Sequence, residues 1–131
     1  DLLYKKTVRP HLTGPAFLVN HPVAISPLAK RATDRPDTVA RLQVLAYGSE
    51  LGNGWCELND PIDQRTRFEE QAKLRAAGDA EAQMMDEDYV EALEYGMPPA
   101  VGFGFSERLF AVLVGKPVRE AVLFPLMRRK K

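Results

Sequence analysis

The sequence predicts an α+β fold, an antiparallel sheet with flanking helices, on three observations. Residues 39 to 47 and 50 to 58 alternate at the strand period of two on either side of Gly48-Ser49, which makes an antiparallel hairpin. Three later segments carry matched helix start and stop signals: Asp60-Pro61 to Gly78, Asp86 to Gly96, and Ser106 to Gly115. The chain has 131 residues, 45% of them hydrophobic, and can bury roughly two thirds of its unfolded surface, enough for one core. One domain, or one piece of a larger one, is expected.

Taken in order, residues 2 to 12 place Leu2, Leu3 and Val8 among basic residues before Pro10, which favours a short amphipathic helix ending near there. AFLVN at 16 to 20 is a β-type run between Gly14-Pro15 and Pro22, and reads as a buried strand. VAISPLAKRATDRPD at 23 to 37 contains two prolines and several turn residues, so a long loop with a helical turn is expected. In the hairpin, Ala40, Leu42, Val44 and Ala46 share one side, and Arg41, Gln43 and Leu45 the other. The helix from 61 to 77 is rich in charge, with Ile62, Phe68 and Ala72 as its expected inner stripe. A second helix, 86 to 95, turns Tyr89, Val90 and Leu93 inward. Val101 to Phe105 is a glycine-interrupted strand that runs into a helix capped by Ser106 and ending near Val114. AVLFP at 121 to 125 reads as a last short strand.

The totals exclude several classes. Eighteen basic and eighteen acidic residues cancel, so no global field points to nucleic acid or an anionic membrane. The run Arg128 to Lys131 reads as a solvated tail. The single cysteine, Cys56, excludes an internal disulfide, and the two isolated histidines lack zinc-ligand spacing. No apolar run reaches a membrane span and the start lacks a signal peptide's apolar segment, so a cytoplasmic protein without a membrane partner is expected. Asp1 stands in place of an initiator methionine and LLYKKTVRPHLTG reads as the end of a helix followed by a connector, so a preceding segment is expected, an appearance that a processed product, a designed chain and a proteolytic remnant share.

The most informative stretch is ELGNGWCELND at 50 to 60. Counted at the strand period, Asn53, Trp55 and Glu57 point to one side, among glycines that let the backbone approach a ligand. A carboxylate beside a carboxamide and a large flat ring suits a ligand with a cationic end and an apolar stem. An ordinary half-solvated strand has the same composition, and the strand alone does not separate the two. At the strand-to-helix junction before Ser106, free backbone N–H groups and a positive dipole end favour anions, with Arg108 in the first turn beside them. Close packing of strand and helix also accounts for Gly102 and Gly104 there.

RPHLTGPAFLVNHPVAISPLAKR at 9 to 31, GSELGNGWCELNDPIDQRTRFEEQ at 48 to 71, DEDYVEALEYGMPP at 86 to 99, and GFGFSERLF with VLFPLMR together resemble the C-terminal part of the catalytic domain of class II lysyl-tRNA synthetases. The resemblance spans nearly the whole chain, residues 1 to 131. It implies the class II antiparallel sheet with flanking helices, ATP and Mg²⁺ as cofactors, lysine and tRNA as further substrates, and a homodimer in the intact enzyme. GFGFSER is similar to motif 3 of the class, whose arginine contacts ATP, and that residue here is Arg108. The resemblance further implies that Glu50 helps hold Mg²⁺ on the phosphates, that Asn53 contacts the lysine or metal, that Trp55 lines the pocket, and that Glu57 meets the lysine ε-ammonium. Activation is attack of a substrate carboxylate on the α-phosphorus, so no protein nucleophile or general base is required. Positioning and charge neutralisation carry such chemistry.

Departures from the family pattern bear on activity. Gln43 stands where the family usually places a second metal-binding glutamate, Ala24 stands where HPVAISPLAK usually carries a glutamate, and the motif 3 stretch is about one residue short. The family's motifs 1 and 2 and its anticodon-binding domain precede the matched region, so the isolated chain is expected to carry half a site and little aminoacylation activity. The alternative is a non-catalytic synthetase-like paralogue that binds a small molecule or another synthetase chain.

Overall fold

The computed structural model describes residues 2–125. The basic run Arg128 to Lys131 therefore lies outside the described residues, as do the last residues of VLFPLMR. Four strands form one antiparallel sheet in the order β1-β2-β3-β4, with β1 at Ala16–Pro22, β2 at Thr38–Ala46, β3 at Ser49–Cys56 and β4 at Val101–Phe105. The helices are α1 (Leu2–Thr7), α2 (Pro61–Ala76), α3 (Glu87–Glu94), α4 (Glu107–Val114) and α5 (Val118–Ala121). The α+β expectation is met.

The chain divides into two compact units. The first comprises the residues up to Leu18, Gln43–Asn53 and the residues from Phe103 onward. Its buried apolar residues are Leu45, Ala46, Leu51 and Ala111. The hairpin turn falls at Tyr47 and Gly48, both with positive φ (49° and 68°), one residue earlier than the sequence suggests. Two left-handed residues make the twisted two-residue turn that antiparallel strands favour, and Tyr47 tolerates that conformation because the turn is held from outside. Arg9 Nε donates to the Gly48 carbonyl at 2.8 Å, and the Gly48 N–H donates to the Leu12 carbonyl at 3.1 Å. The short 3₁₀ turn Arg9–His11 that follows α1 supplies this clamp.

The second unit comprises Val19–Leu42 and Gly54–Gly102. Val39, Leu58, Phe68, Val90 and Leu93 are its larger buried apolar side chains, and Phe68 meets Tyr89 edge-on at 5.9 Å between ring centroids. Here α2 departs from expectation. Ile62, expected inward, is 79% exposed, while Gln64, Arg67, Phe68 and Gln71 are buried. These fall at the i, i+3, i+4, i+7 spacing of one helical face, so the period is as read but the face is polar. The reason lies in the loop 23–37. Three of its carbonyls turn toward α2 instead of pairing with backbone, and a buried carbonyl needs a donor. Gln64 Nε2 donates to the Pro27 carbonyl (3.2 Å), Arg67 Nη1 to the Ala29 carbonyl (2.6 Å), and Gln71 Nε2 to the Ala24 carbonyl (3.0 Å). The loop contains the expected helical turn at Val23–Ile25.

Two further expectations are corrected. AFLVN forms β1, but Phe17 and Val19 are 72% and 51% exposed rather than buried, because β1 is an edge strand whose outer positions no described residue covers. AVLFP is not a strand: Ala121 ends α5 and residues 122–124 bend, leaving Leu123 and Phe124 exposed. A β-type composition without a pairing partner carries no ladder.

Candidate functional site

Of the residues singled out in the sequence, Glu50, Asn53 and Trp55 lie on β3, Glu57 in a bridge just beyond its end, and Arg108 at the start of α4. Gly52 and Gly54 are buried on β3, and Asn53, Trp55, Cys56 and Glu57 are half-buried. At Gly52 a Cβ would stand 2.8 Å from Cζ of Phe103 and 3.3 Å from the Gly104 carbonyl, so this glycine is required for the close approach of β4. Phe103 in turn packs edge-on against Phe105 at 5.0 Å.

In the first unit, Gln43 on β2 and Glu50 on β3 meet directly: Gln43 Nε2 donates to Glu50 Oε2 at 3.1 Å. The Gln43 amide thus occupies one oxygen of the Glu50 carboxylate. The other oxygen is left for a cation, which fits a Mg²⁺ ion held by one protein carboxylate and by phosphate oxygens. Among the described residues no group of three or more His, Cys, Asp or Glu side chains gathers to hold a metal by itself. Ser106 caps α4 as expected. Its Oγ accepts from the Arg108 N–H (3.2 Å) and its own N–H donates to the Leu51 carbonyl (2.8 Å), which ties the head of α4 to β3. Arg108 is exposed in the first turn of α4, and Gly115 ends the helix with a φ of 64°.

In the second unit, Trp55 and Glu57 are joined. The indole Nε1–H donates to Glu57 Oε2 at 2.8 Å, a short bond to a charged acceptor. Strand spacing predicts their common face, and the contact follows from it. The backbone of Glu57 is pinned by its N–H to the Ala100 carbonyl (2.9 Å) and by an antiparallel bridge to Ala29. The other side-chain oxygen, Oε1, lies where a Cβ on Gly102 would come within 2.8 Å. Tyr89 stands in the field of this carboxylate: burial pushes its phenol up from the ordinary value, and the negative charges of Glu57 and Asp86 add to the effect.

Two contributors to this cluster have no role in it by sequence alone. Arg41 on β2 lies with its guanidinium carbon 5.8 Å from the centroid of the Trp55 ring, and donates from Nη1 to Ser26 Oγ (2.9 Å) and to the Ile25 carbonyl (3.3 Å). Gly102 is the other. Neither was legible in the strand spacing: counting outward from the turn at Tyr47 and Gly48 sets Arg41 opposite Gly54 rather than Trp55, and the role of Gly102 depends on the register of β4.

Comparison with known proteins gives the family. Residues 2–128 match the family described as class II tRNA synthetases (D, K and N). The chain belongs to that family. Among curated class II synthetases it is similar to a lysine–tRNA ligase of Moorella thermoacetica, 55% identical over 131 residues, which is 98% of this chain and 27% of that protein. A lysine–tRNA ligase of Chloroflexus aurantiacus is 50% identical over 132 residues, 99% of this chain and 27% of the relative. One from Carboxydothermus hydrogenoformans is 49% identical over 128 residues, 96% of this chain and 26% of the relative. The chain therefore spans about a quarter of the length of the class II synthetases it matches. No helix among the described residues is long and apolar enough to cross a membrane.

Proposed function

We propose that residues 1 to 131 are the C-terminal part of the catalytic domain of a lysine–tRNA ligase, which activates lysine with ATP and Mg²⁺ and transfers it to tRNA as a homodimer. The observation that carries this reading is the half-buried Glu57 carboxylate, held by the Trp55 indole on a strand whose relatives are lysine–tRNA ligases. A fixed carboxylate about 4 Å from an ammonium gains on the order of 4 kcal/mol at an effective dielectric of 20, before desolvation is subtracted. A neutral amino acid would leave that charge unpaired in a closed pocket, which is the basis of discrimination. Asn53 serves the lysine on the same strand, with Trp55 as the aromatic wall. Glu50 holds Mg²⁺ on the phosphates through the oxygen that Gln43 leaves open. Arg108, in the first turn of α4, meets ATP, where the helix dipole adds to its charge.

The test is lysine-dependent ATP–pyrophosphate exchange. The full-length protein containing this segment catalyses it, and the 131-residue chain alone does not. Exchange by the chain alone at the full-length rate would sink the assignment of half a site to it.

The bond from Gln43 to Glu50 supports a second reading, a synthetase-like protein that binds its ligand without turnover. An amide donor in place of an acid lowers the negative charge available to a metal. Lysine binding without any exchange activity in the full-length protein favours that reading.

A further inference from the structure

The lysine reading gives Glu57 a partner but does not say what fixes the position of its carboxylate. Glutamate is a flexible side chain, and a charge that can swing finds an ammonium at more than one distance. Selection by length requires that the swing be stopped. One hydrogen bond in the second unit stops it, in room that Gly102 leaves and on a backbone held in place. The Trp55 N–H holds Oε2 at 2.8 Å. Gly102 presents only backbone beside Oε1, in space that a Cβ would fill to 2.8 Å. The backbone of Glu57 is held on both sides by Ala100 and Ala29.

The indole is itself held. Arg41 lies 5.8 Å from its ring centroid, within the range of a cation–π contact. A cation over the ring also draws electron density from the N–H and strengthens it as a donor. Arg41 is anchored by Ser26 Oγ and the Ile25 carbonyl. The loop carrying those groups is clamped to α2, since Arg67 Nη1 donates to the Ala29 carbonyl at 2.6 Å and to the Ser26 carbonyl at 3.4 Å. Arg67 is fixed by a bidentate pair with Asp63, at 3.0 and 2.7 Å. A continuous set of polar contacts thus runs from the buried face of α2 through the loop and Arg41 to the indole and the carboxylate.

We propose that Arg41 and Trp55 are positioning residues that lock the Glu57 carboxylate and so set the side-chain length of the cationic amino acid the site accepts. The proposal rests on the reading of Glu57 as the partner of the ε-ammonium, and goes beyond it by assigning discrimination between diamino acids to the indole N–H and the guanidinium above it. Ornithine, one methylene shorter, cannot bring its ammonium to a carboxylate held in place, whereas a released carboxylate can follow it.

The experiment uses the full-length protein and measures kcat and KM for lysine and for ornithine in ATP–pyrophosphate exchange, for the native protein and for Trp55→Phe, Arg41→Lys and Glu57→Gln. Phenylalanine keeps an aromatic ring, smaller than the indole, and removes the donor. Lysine at 41 keeps the charge but loses the fork that spans Ser26 and Ile25. Trp55→Phe is expected to lower the ratio of kcat/KM for lysine over ornithine about tenfold, the equivalent of one charged hydrogen bond, with the loss concentrated in KM for lysine. Arg41→Lys shifts the ratio in the same direction by a smaller factor, and decides the matter if Trp55→Phe does not fold. A merely structural role would depress kcat for both amino acids and leave their ratio unchanged.

A spectroscopic readout accompanies the kinetics. The indole N–H resonance that Trp55→Phe removes is expected to move upfield in Glu57→Gln, where its acceptor loses its charge. If Glu57→Gln loses lysine while Trp55→Phe and Arg41→Lys keep the native ratio, the positioning role is overturned and the lysine reading stands. If Glu57→Gln keeps the native KM for lysine, both fall together.

Discussion

At the scale of single residues, Arg67 shows how a buried charge is accommodated. Its side chain is 3% exposed, and Asp63, 25% exposed, neutralises it at 2.7 Å. The Arg67 hydrogen bond holds the Asp63 carboxyl below its ordinary range, and the charges of Arg67 and Arg31 reinforce the effect against partial desolvation. A depressed carboxylate contributes stability that is fully present above its unfolded value and is lost as pH falls through the folded one. Stability from this pair is therefore complete above about pH 4 and declines below it. Asp63→Asn is expected to cost roughly 2 kcal/mol at neutral pH, between the values for exposed and for buried pairs, and to flatten the acid limb of the stability curve. Urea unfolding of the full-length protein at pH 7 and at about pH 3.5 checks both statements. An unchanged acid limb in the variant would remove Asp63 from the role.

Residue identities in the candidate site were largely legible. Asn53, Trp55 and Glu57 announce themselves by period-two spacing, and the Trp55 to Glu57 bond follows from it. What strand spacing does not carry is the neighbour on another strand, which is why Arg41 and Gly102 emerged only with the fold.

At the scale of elements, caps were the most readable feature. Asp60 accepts from the N–H groups of Ile62 and Asp63, Asp86 from that of Tyr89, and Ser106 from that of Arg108. Such signals are local, so tertiary context did not alter them. The inner stripe of α2 was misread for the opposite reason. The helix packs on a loop rich in unpaired carbonyls, and that surface selects Gln64, Arg67 and Gln71 over Ile62. AVLFP failed as a strand because composition supplies no partner. The Ser106 cap has a functional consequence, since it sets the first turn of α4, where Arg108 resides. Ser106→Ala is expected to cost about 1 kcal/mol of stability and, in pyrophosphate exchange, to raise KM for ATP while leaving KM for lysine near its native value. Equal changes in both would detach α4 from the nucleotide.

At the scale of the whole molecule, large apolar side chains stand open on the chain. Phe17, Phe105, Leu113, Leu123 and Phe124 are each more than 70% exposed. Apolar groups in that number promote association, and a formal net charge of zero offers no repulsion against it. The chain on its own is expected to sediment above its 14.7 kDa monomer mass at micromolar concentration. A monodisperse monomer would contradict this. Glu57 and Glu50 both lie in a chain that spans about a quarter of the length of the relatives it matches.

The central claim is that the Glu57 carboxylate recognises a cationic amino-acid side chain, and isothermal titration of the full-length protein with lysine, native against Glu57→Gln, tests it most directly. The account predicts saturable binding by the native protein and at least tenfold weaker binding by the variant, as expected for loss of a charged partner in a half-buried site. Equal affinity for lysine in the two proteins would contradict it.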